Sequence, residues 1–267
     1  MILKETNTKN PVISVITVCY NCSNTIEGTI KSVLEQQYPF IEYIIIDGGS
    51  TDGTQEIVKK YSEKINVFVS EKDSGIYDAM NKGLALAQGD IIFFLNSGDC
   101  LHSAFIFNEI SEYSLKNPDS NLLLGDIINY DGERDVFCSM KRENNIQYFT
   151  YPICHQALFA KKKVFDKIGG FNMQYSIFAD RDWIFRAVFV QNFQITHIPI
   201  TVCKYLMGGF STNRNEKFHR ERIHLFSQYC SNSKFLYQLV KKPIELIHVI
   251  GLILFSTVNV ILKRIVP

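Results

Sequence analysis

Four times between residues 13 and 99 the chain passes from an apolar, largely β-branched run into a cluster of Gly, Asn, Asp or Ser. The runs are residues 13–18, 42–46, 65–70 and 91–95, and helical spacing separates them over 24–37, 54–63 and 76–87. Runs that lack polar alternation belong to strands covered on both faces. Asn24-x-x-Glu27 has the spacing of a capping box at the start of the first helix. A β-α-β-α alternation of this kind predicts an α/β fold, a mostly parallel sheet with helices on both faces. Ligands of such sheets bind beyond the carboxyl ends of the strands. Three polar clusters fall there: Tyr20-Asn21, the 47–52 loop, and Asn96-Ser97-Gly98-Asp99. One such cluster is ordinary turn chemistry; three at successive strand ends point to a binding site.

The second half is less regular. Residues 122–128 read as a strand followed by a hairpin turn at Asp131-Gly132, and helices are expected near 161–168, 180–190 and 215–229. No internal repeat or linker interrupts residues 11–231, which are expected to form one domain after a short tail, 1–10. A helical segment, 232–267, follows. Within it residues 244–262 are nearly all apolar, broken by Glu245, His248 and Asn259 and flanked by Lys241, Lys242, Lys263 and Arg264. The run approaches the ~20 residues that span a bilayer. Its polar breaks and basic flanks fit a helix lying in the cytoplasmic leaflet better. The expected location is therefore cytoplasmic, peripheral on the inner face of the plasma membrane.

The bulk numbers narrow the class. The 267 residues carry 28 basic and 27 acidic side chains, a net charge of +1 that argues against a nucleic-acid binder. Seven cysteines at irregular spacing fit reduced thiols rather than a disulfide framework. Cys19 and Cys22 form a lone C-x-x-C with no second pair to complete a zinc site. There is no G-x-G-x-x-G after the first strand and no G-x-x-x-x-G-K-[ST] loop, so a diphosphate has no glycine cradle. A divalent cation held by carboxylates is the common substitute. Asp99 suits that task, with Asn96 and Ser97 as further oxygen ligands; the plainer role is a cap on a helix beginning near Ser103.

Several segments together resemble the family 2 glycosyltransferases. They are V-I-S-V-I-T-V-C-Y-N at 12–21, I-I-I-D-G-G-S-T-D-G-T at 44–54 and F-L-N-S-G-D at 94–99. D-S-G-I-Y-D-A-M-N-K-G at 73–83 is similar to the branch that builds bacterial capsule, exopolysaccharide and O-antigen chains. H-Q-A-L-F at 155–159, G-G-F-N at 169–172 and A-D-R-D-W at 179–183 continue the match. The resemblance covers roughly residues 11–215 and implies an inverting, metal-dependent enzyme of the GT-A fold. It implies nucleotide-sugar contacts at Tyr20, Asn21, Asp47, Asp73, Lys82, Asn96 and Ser97, and Mn²⁺ or Mg²⁺ at Asp99. Asp180 takes the place of the catalytic base, with Asp182 and Trp183 beside it toward the acceptor; apart from the resemblance, His155 and Gln156 follow an extended segment and are expected at the acceptor or the diphosphate. The implied partners are a nucleotide-diphosphate sugar, UDP-linked by expectation, and a glycan on a lipid carrier.

Three departures from the family pattern bear on this. Asn96-Ser97-Gly98-Asp99 offers one carboxylate where relatives have two or three. Gly48 stands where many carry a second acid, and Ala179 replaces a usual glutamate. The thinned signature also suits a non-catalytic, nucleotide-sugar-binding homologue acting in assembly, which the retained Asp47, Asp99 and Asp180 oppose. A nucleotidyltransferase would need a glycine- and base-rich loop after the first strand, and residues 20–24 are not one. The 208–211 loop is expected to close over donor and acceptor. The basic stretch of Arg214, Lys217, His219, Arg220 and Arg222 is expected either at the diphosphate or lipid surface or as a solvated helix face.

Overall fold

The computed structural model describes residues 9–144, 147–148, 151, 153–209, 215–230, 250–251 and 254. The alternating half builds β1 (Ile13–Cys19), β2 (Ile41–Asp47), β3 (Val67–Ser70) and β4 (Ile91–Phe94) into a parallel array ordered β3-β2-β1-β4. Helices α1 (Ile26–Leu34), α2 (Thr54–Lys59) and α3 (Ile76–Leu86) lie on the connections between them. All seven residues of β1 are buried, as a doubly covered strand requires. Register pairs Cys19 with Asp47 and Asp47 with Ser70, so three strands end along one line. That line is the rim on which the polar clusters stand.

The second half supplies β5 (Cys100–Leu101), α4 (Ile106–Lys116), β6 (Leu122–Tyr130), β7 (Asp135–Cys138), β8 (Leu158–Lys161), α5 (Lys162–Ile168), α6 (Ala179–Phe185), β9 (Ile195–Leu206) and α7 (Glu216–Cys230). The full sheet runs β3-β2-β1-β4-β8-β6-β9-β5, with β7 on β6. β8 is antiparallel to both β4 and β6, whereas β9 is parallel to β6, so the parallel array continues into a mixed one. Phe93 of β4 stacks on Phe159 of β8 at 4.2 Å between centroids, sealing the seam between the halves.

Some local expectations shift. The first helix starts at Ile26, and Asn24 caps nothing: the N–H groups of Thr25 and Ile26 both donate to the Cys22 carbonyl. Residues 22–23 are held instead by Thr54 Oγ1 and the Asp52 carboxylate, at 2.9 Å each. Glu27 turns to Tyr61 Oη (2.6 Å) and Lys31. The helix expected over 54–63 ends at Lys59 and resumes as one 3₁₀ turn, Ser62–Lys64. The hairpin at Asp131-Gly132 forms, with Gly132 at φ +103° and the Asp131 carboxylate accepting from the N–H groups of Glu133 and Arg134. At Gly83 of α3 a Cβ would stand 2.4 Å from Ile16 Cγ2, so only glycine lets this helix lie on β1.

Among the described residues no helix is long and apolar enough to cross a membrane. The apolar run at 244–262 lies outside the described residues except for 250, 251 and 254, as do Phe210, Ser211 and Arg214. Of the basic stretch that is described, Lys217 and Arg220 are exposed, Arg220 pairs with Glu216, and His219 is buried.

Candidate active site

The rim begins at Asp47. This carboxylate is fully buried and accepts from the N–H groups of Gly49 (3.2 Å) and Ser50 (2.9 Å), from Ser70 Oγ (2.6 Å) and from Ser50 Oγ. Its hydrogen bonds shape the 48–51 loop. That loop in turn grips the end of β1: Ser50 Oγ accepts from Asn21 N–H (2.8 Å), and Asn21 Oδ1 accepts from Thr51 N–H (3.0 Å). Asn21 is thereby held at φ +47°, and the Tyr20 ring projects, 64% exposed. Gly48 has a structural reason. A Cβ there would come 2.5 Å from Asp73 Oδ2 and 3.3 Å from the Tyr20 ring, so the Asp73 carboxylate occupies the space that a side chain at this place would need. Lys82 does not face the loop cluster freely. Its ammonium is paired with Glu71 at 2.8 Å and Asp78 at 3.5 Å.

Asn96, Ser97, Gly98 and Asp99 follow β4. Gly98 adopts φ +99° and donates to Thr29 Oγ1, which turns the chain back under α1. Asp99 is only 3% exposed and caps no helix. Its Oδ1 accepts from the Leu206 N–H and its Oδ2 from the Gln156 amide, both at 2.9 Å. Burial pushes the Asp99 carboxyl up to about 6, although these two donors favour its charged form. Ser97 Oγ pairs with Thr25 Oγ1, and Asn96 Oδ1 is buried without a hydrogen-bond partner among the described residues.

The opposite wall is the first turn of α6, which carries Asp180. The Asp180 Oδ2 lies 3.0 Å from His155 Nδ1, and Oδ1 accepts from the Arg181 N–H (2.7 Å) and faces the Tyr77 hydroxyl (3.0 Å). His155 Nε2 lies 3.1 Å from Asn96 Nδ2, so one imidazole spans from the β4 loop to α6. Burial raises the Asp180 carboxyl, but the hydrogen bond and charge of His155, with Arg181 N–H and Tyr77, outweigh it and hold the group below the ordinary carboxylate range. Asp180 retains 21% side-chain exposure. It is an ionised carboxylate that solvent still reaches.

Two of the expected acceptor residues are buried. Asp182 lies against Arg186 Nε (2.8 Å) and the Tyr229 hydroxyl (3.2 Å). Trp183 stacks on Phe165 at 4.3 Å, donates to the Gly169 carbonyl and lines a small cavity with His155 and Asp180. Sequence reading passed over Tyr77, and it missed Glu221 altogether, whose signal is long-range. From α7, Glu221 accepts from the N–H groups of Ser176, Ile177 and Phe178 and from Ser176 Oγ at 2.7–3.4 Å, fixing the segment that delivers Asp180. Glu221→Ala strands those donors and is expected to lower the unfolding free energy by roughly 3 kcal/mol. Urea unfolding measures it.

A divalent cation would find hard oxygen donors here: the Asp99 carboxylate, the unpaired Asn96 Oδ1 and Ser97 Oγ. Among the described residues no three His, Cys, Asp or Glu side chains converge on one point. Mg²⁺ and similar ions keep waters and substrate phosphates as ligands and need only one or two protein carboxylates. The donor set fits an ion that arrives with a diphosphate.

A family model described as glycosyl transferase family 2 matches residues 14–172. The putative teichuronic acid biosynthesis glycosyltransferase TuaG of Bacillus subtilis is 47% identical over 92 residues, 33% of this chain and 36% of its own. The crystal structure of S. aureus TarS 1-349 in complex with UDP-GlcNAc superposes with a TM-score of 0.70 at 19% identity, covering 83% of this chain and 67% of that one. The chain spans 40% of a longer TarS chain. The mannosyltransferase PcManGT from Pyrobaculum calidifontis, in complex with GDP-Man and Mn²⁺, superposes at 0.64 and 18% identity over 94% of this chain and 76% of its own.

Proposed function

We propose that this chain, which belongs to glycosyl transferase family 2, moves a sugar with inversion from a UDP-linked donor to a glycan acceptor on a lipid carrier, in bacterial surface polysaccharide synthesis. One observation carries the reading. Asp180, ionised and reachable, is tied through His155 to Asn96 in the very loop that presents Asp99. Base and diphosphate loop are one assembly.

In the transfer, Asp180 takes the proton of the acceptor hydroxyl as the acceptor oxygen bonds to the anomeric carbon. The bond from that carbon to the diphosphate breaks on the opposite face, and the nucleotide leaves with its charge. Asp99, with Asn96 and Ser97, would hold a Mn²⁺ or Mg²⁺, which when bound would supply electrostatic stabilisation of the leaving diphosphate. Tyr20, exposed at the end of β1, offers its ring to the base, and Asp73 stands beside it over Gly48. UDP-GlcNAc in TarS and GDP-Man with Mn²⁺ in PcManGT support the donor class and the ion, and TuaG, named for teichuronic acid biosynthesis, supports the polysaccharide setting. The apolar segment 244–262 with its basic flanks suits a protein working at the inner face of the membrane, where a lipid-linked acceptor resides.

A non-catalytic nucleotide-sugar-binding role draws support from Lys82, whose charge is committed to Glu71 and Asp78. Incubation with a panel of nucleotide sugars and a lipid-linked acceptor separates the two. A glycosylated product whose new linkage has the opposite anomeric configuration to the donor, by NMR coupling constants, is the expected result. A bound but never consumed donor would favour the assembly role.

A further inference from the structure

We infer that His155 is a positioning residue: an imidazole clamped between Asn96 and Asp180 that holds the base in register with the diphosphate loop. The inference rests on the reading of Asp180 as the base. The contact with Asp180 fixes the role of one ring nitrogen. Asp180 can only accept, so Nδ1 carries the proton and donates to Oδ2 at 3.0 Å. Nε2 lies 3.1 Å from the Asn96 amide, the second hold on the ring.

The same geometry excludes His155 as the base itself. A histidine base oriented by a carboxylate must turn its other nitrogen to the hydroxyl that loses a proton. Here that nitrogen faces Asn96. The 3₁₀ turn His155–Ala157 also sends Gln156 to Asp99, so adjacent residues reach both the base and the diphosphate loop. Asn96 has one end on His155 and its buried Oδ1 without a partner among the described residues.

Asn and Gln substitutions divide the two contacts, since an Asn amide nitrogen lies close to the position of Nδ1 and a Gln amide nitrogen close to that of Nε2. His155→Ala is expected to lower kcat roughly 100-fold, the scale of a misplaced reacting group, with the nucleotide dissociation constant by calorimetry within about threefold of the parent. His155→Asn should recover most of kcat and His155→Gln should not. Adding His155→Ala to Asp180→Asn should cost nothing further, because the histidine acts through the base. His155→Ala at parental kcat, Gln rescuing as well as Asn, or neither rescuing in protein that still binds nucleotide, each overturns the assignment. Full activity of Asp180→Asn alone instead overturns the base reading, and the histidine series then reports on a structural contact only.

Discussion

Asp180→Asn is expected to lower the rate of transfer by at least roughly 10³-fold while the nucleotide still binds. A positioned general base contributes on the order of 10²–10⁴, and the amide cannot take the acceptor's proton at all. The substitution is isosteric, and the structure shows how its one conflict resolves. The new Nδ2 would face the Nδ1–H of His155, donor against donor. The imidazole changes tautomer, and Asn96 turns its amide to present Oδ1, which has no other partner among the described residues. The fold survives and the chemistry does not. The pH behaviour follows from the same contacts. Because the folded protein holds Asp180 below its unfolded value, the carboxylate contributes stability above that value and loses it as the pH falls through the folded one. The acid limb of kcat for the parent should therefore lie below the ordinary carboxylate range, and the Asn variant should lack that increment of acid-labile stability.

The second large effect is at Asp99, and it has opposite signs with and without ligand. Its folded value, about 6, lies above that of the unfolded chain. The folded state then binds the proton more tightly, so without metal and nucleotide stability falls as the pH rises from about 4 to about 6 and levels off beyond. The interval corresponds to roughly 3 kcal/mol at most. Asp99→Asn removes that penalty, less what its weaker hydrogen bonds to Leu206 and Gln156 give back. The ligand-free variant should equal or exceed the parent in denaturant midpoint at pH 7.5 and converge with it near pH 4. With nucleotide and Mn²⁺ the order reverses. A ligand at a hundred times its dissociation constant adds about 2.7 kcal/mol, a rise of order 5 °C in the unfolding midpoint of a domain this size. The variant should lose the metal-dependent part of that rise.

The parallel half of the fold was legible because its signals are local: unbroken apolar runs, helical spacing between them, and polar turns at the strand ends. β8 and β9 were not. Leu158–Lys161 is four residues long, and Ile195–Leu206 carries Pro199 and alternates burial irregularly around the register shift beside Asp126. Both are strands because β4 and β6 offer them edges, a fact of tertiary pairing. The site divides in the same way. Asp99 and Asp180 stood out through motif and resemblance, whereas the burial of Asp182 and Trp183, in the same motif, comes from tertiary partners, Tyr229 and Phe165. Glu221 matters through partners 44 or 45 positions away, at residues 176 and 177. Gly48 looked like a loss of function in sequence, whereas in space it is the room that Asp73 occupies.

Nucleotide binding to the full chain tests the central claim most directly. Thermal unfolding with UDP, GDP, CMP and dTDP, each with and without Mn²⁺, should show one nucleoside diphosphate, UDP by expectation, raising the midpoint by several degrees only when the metal is present. A folded protein whose midpoint no nucleotide moves, with or without Mn²⁺, contradicts the account.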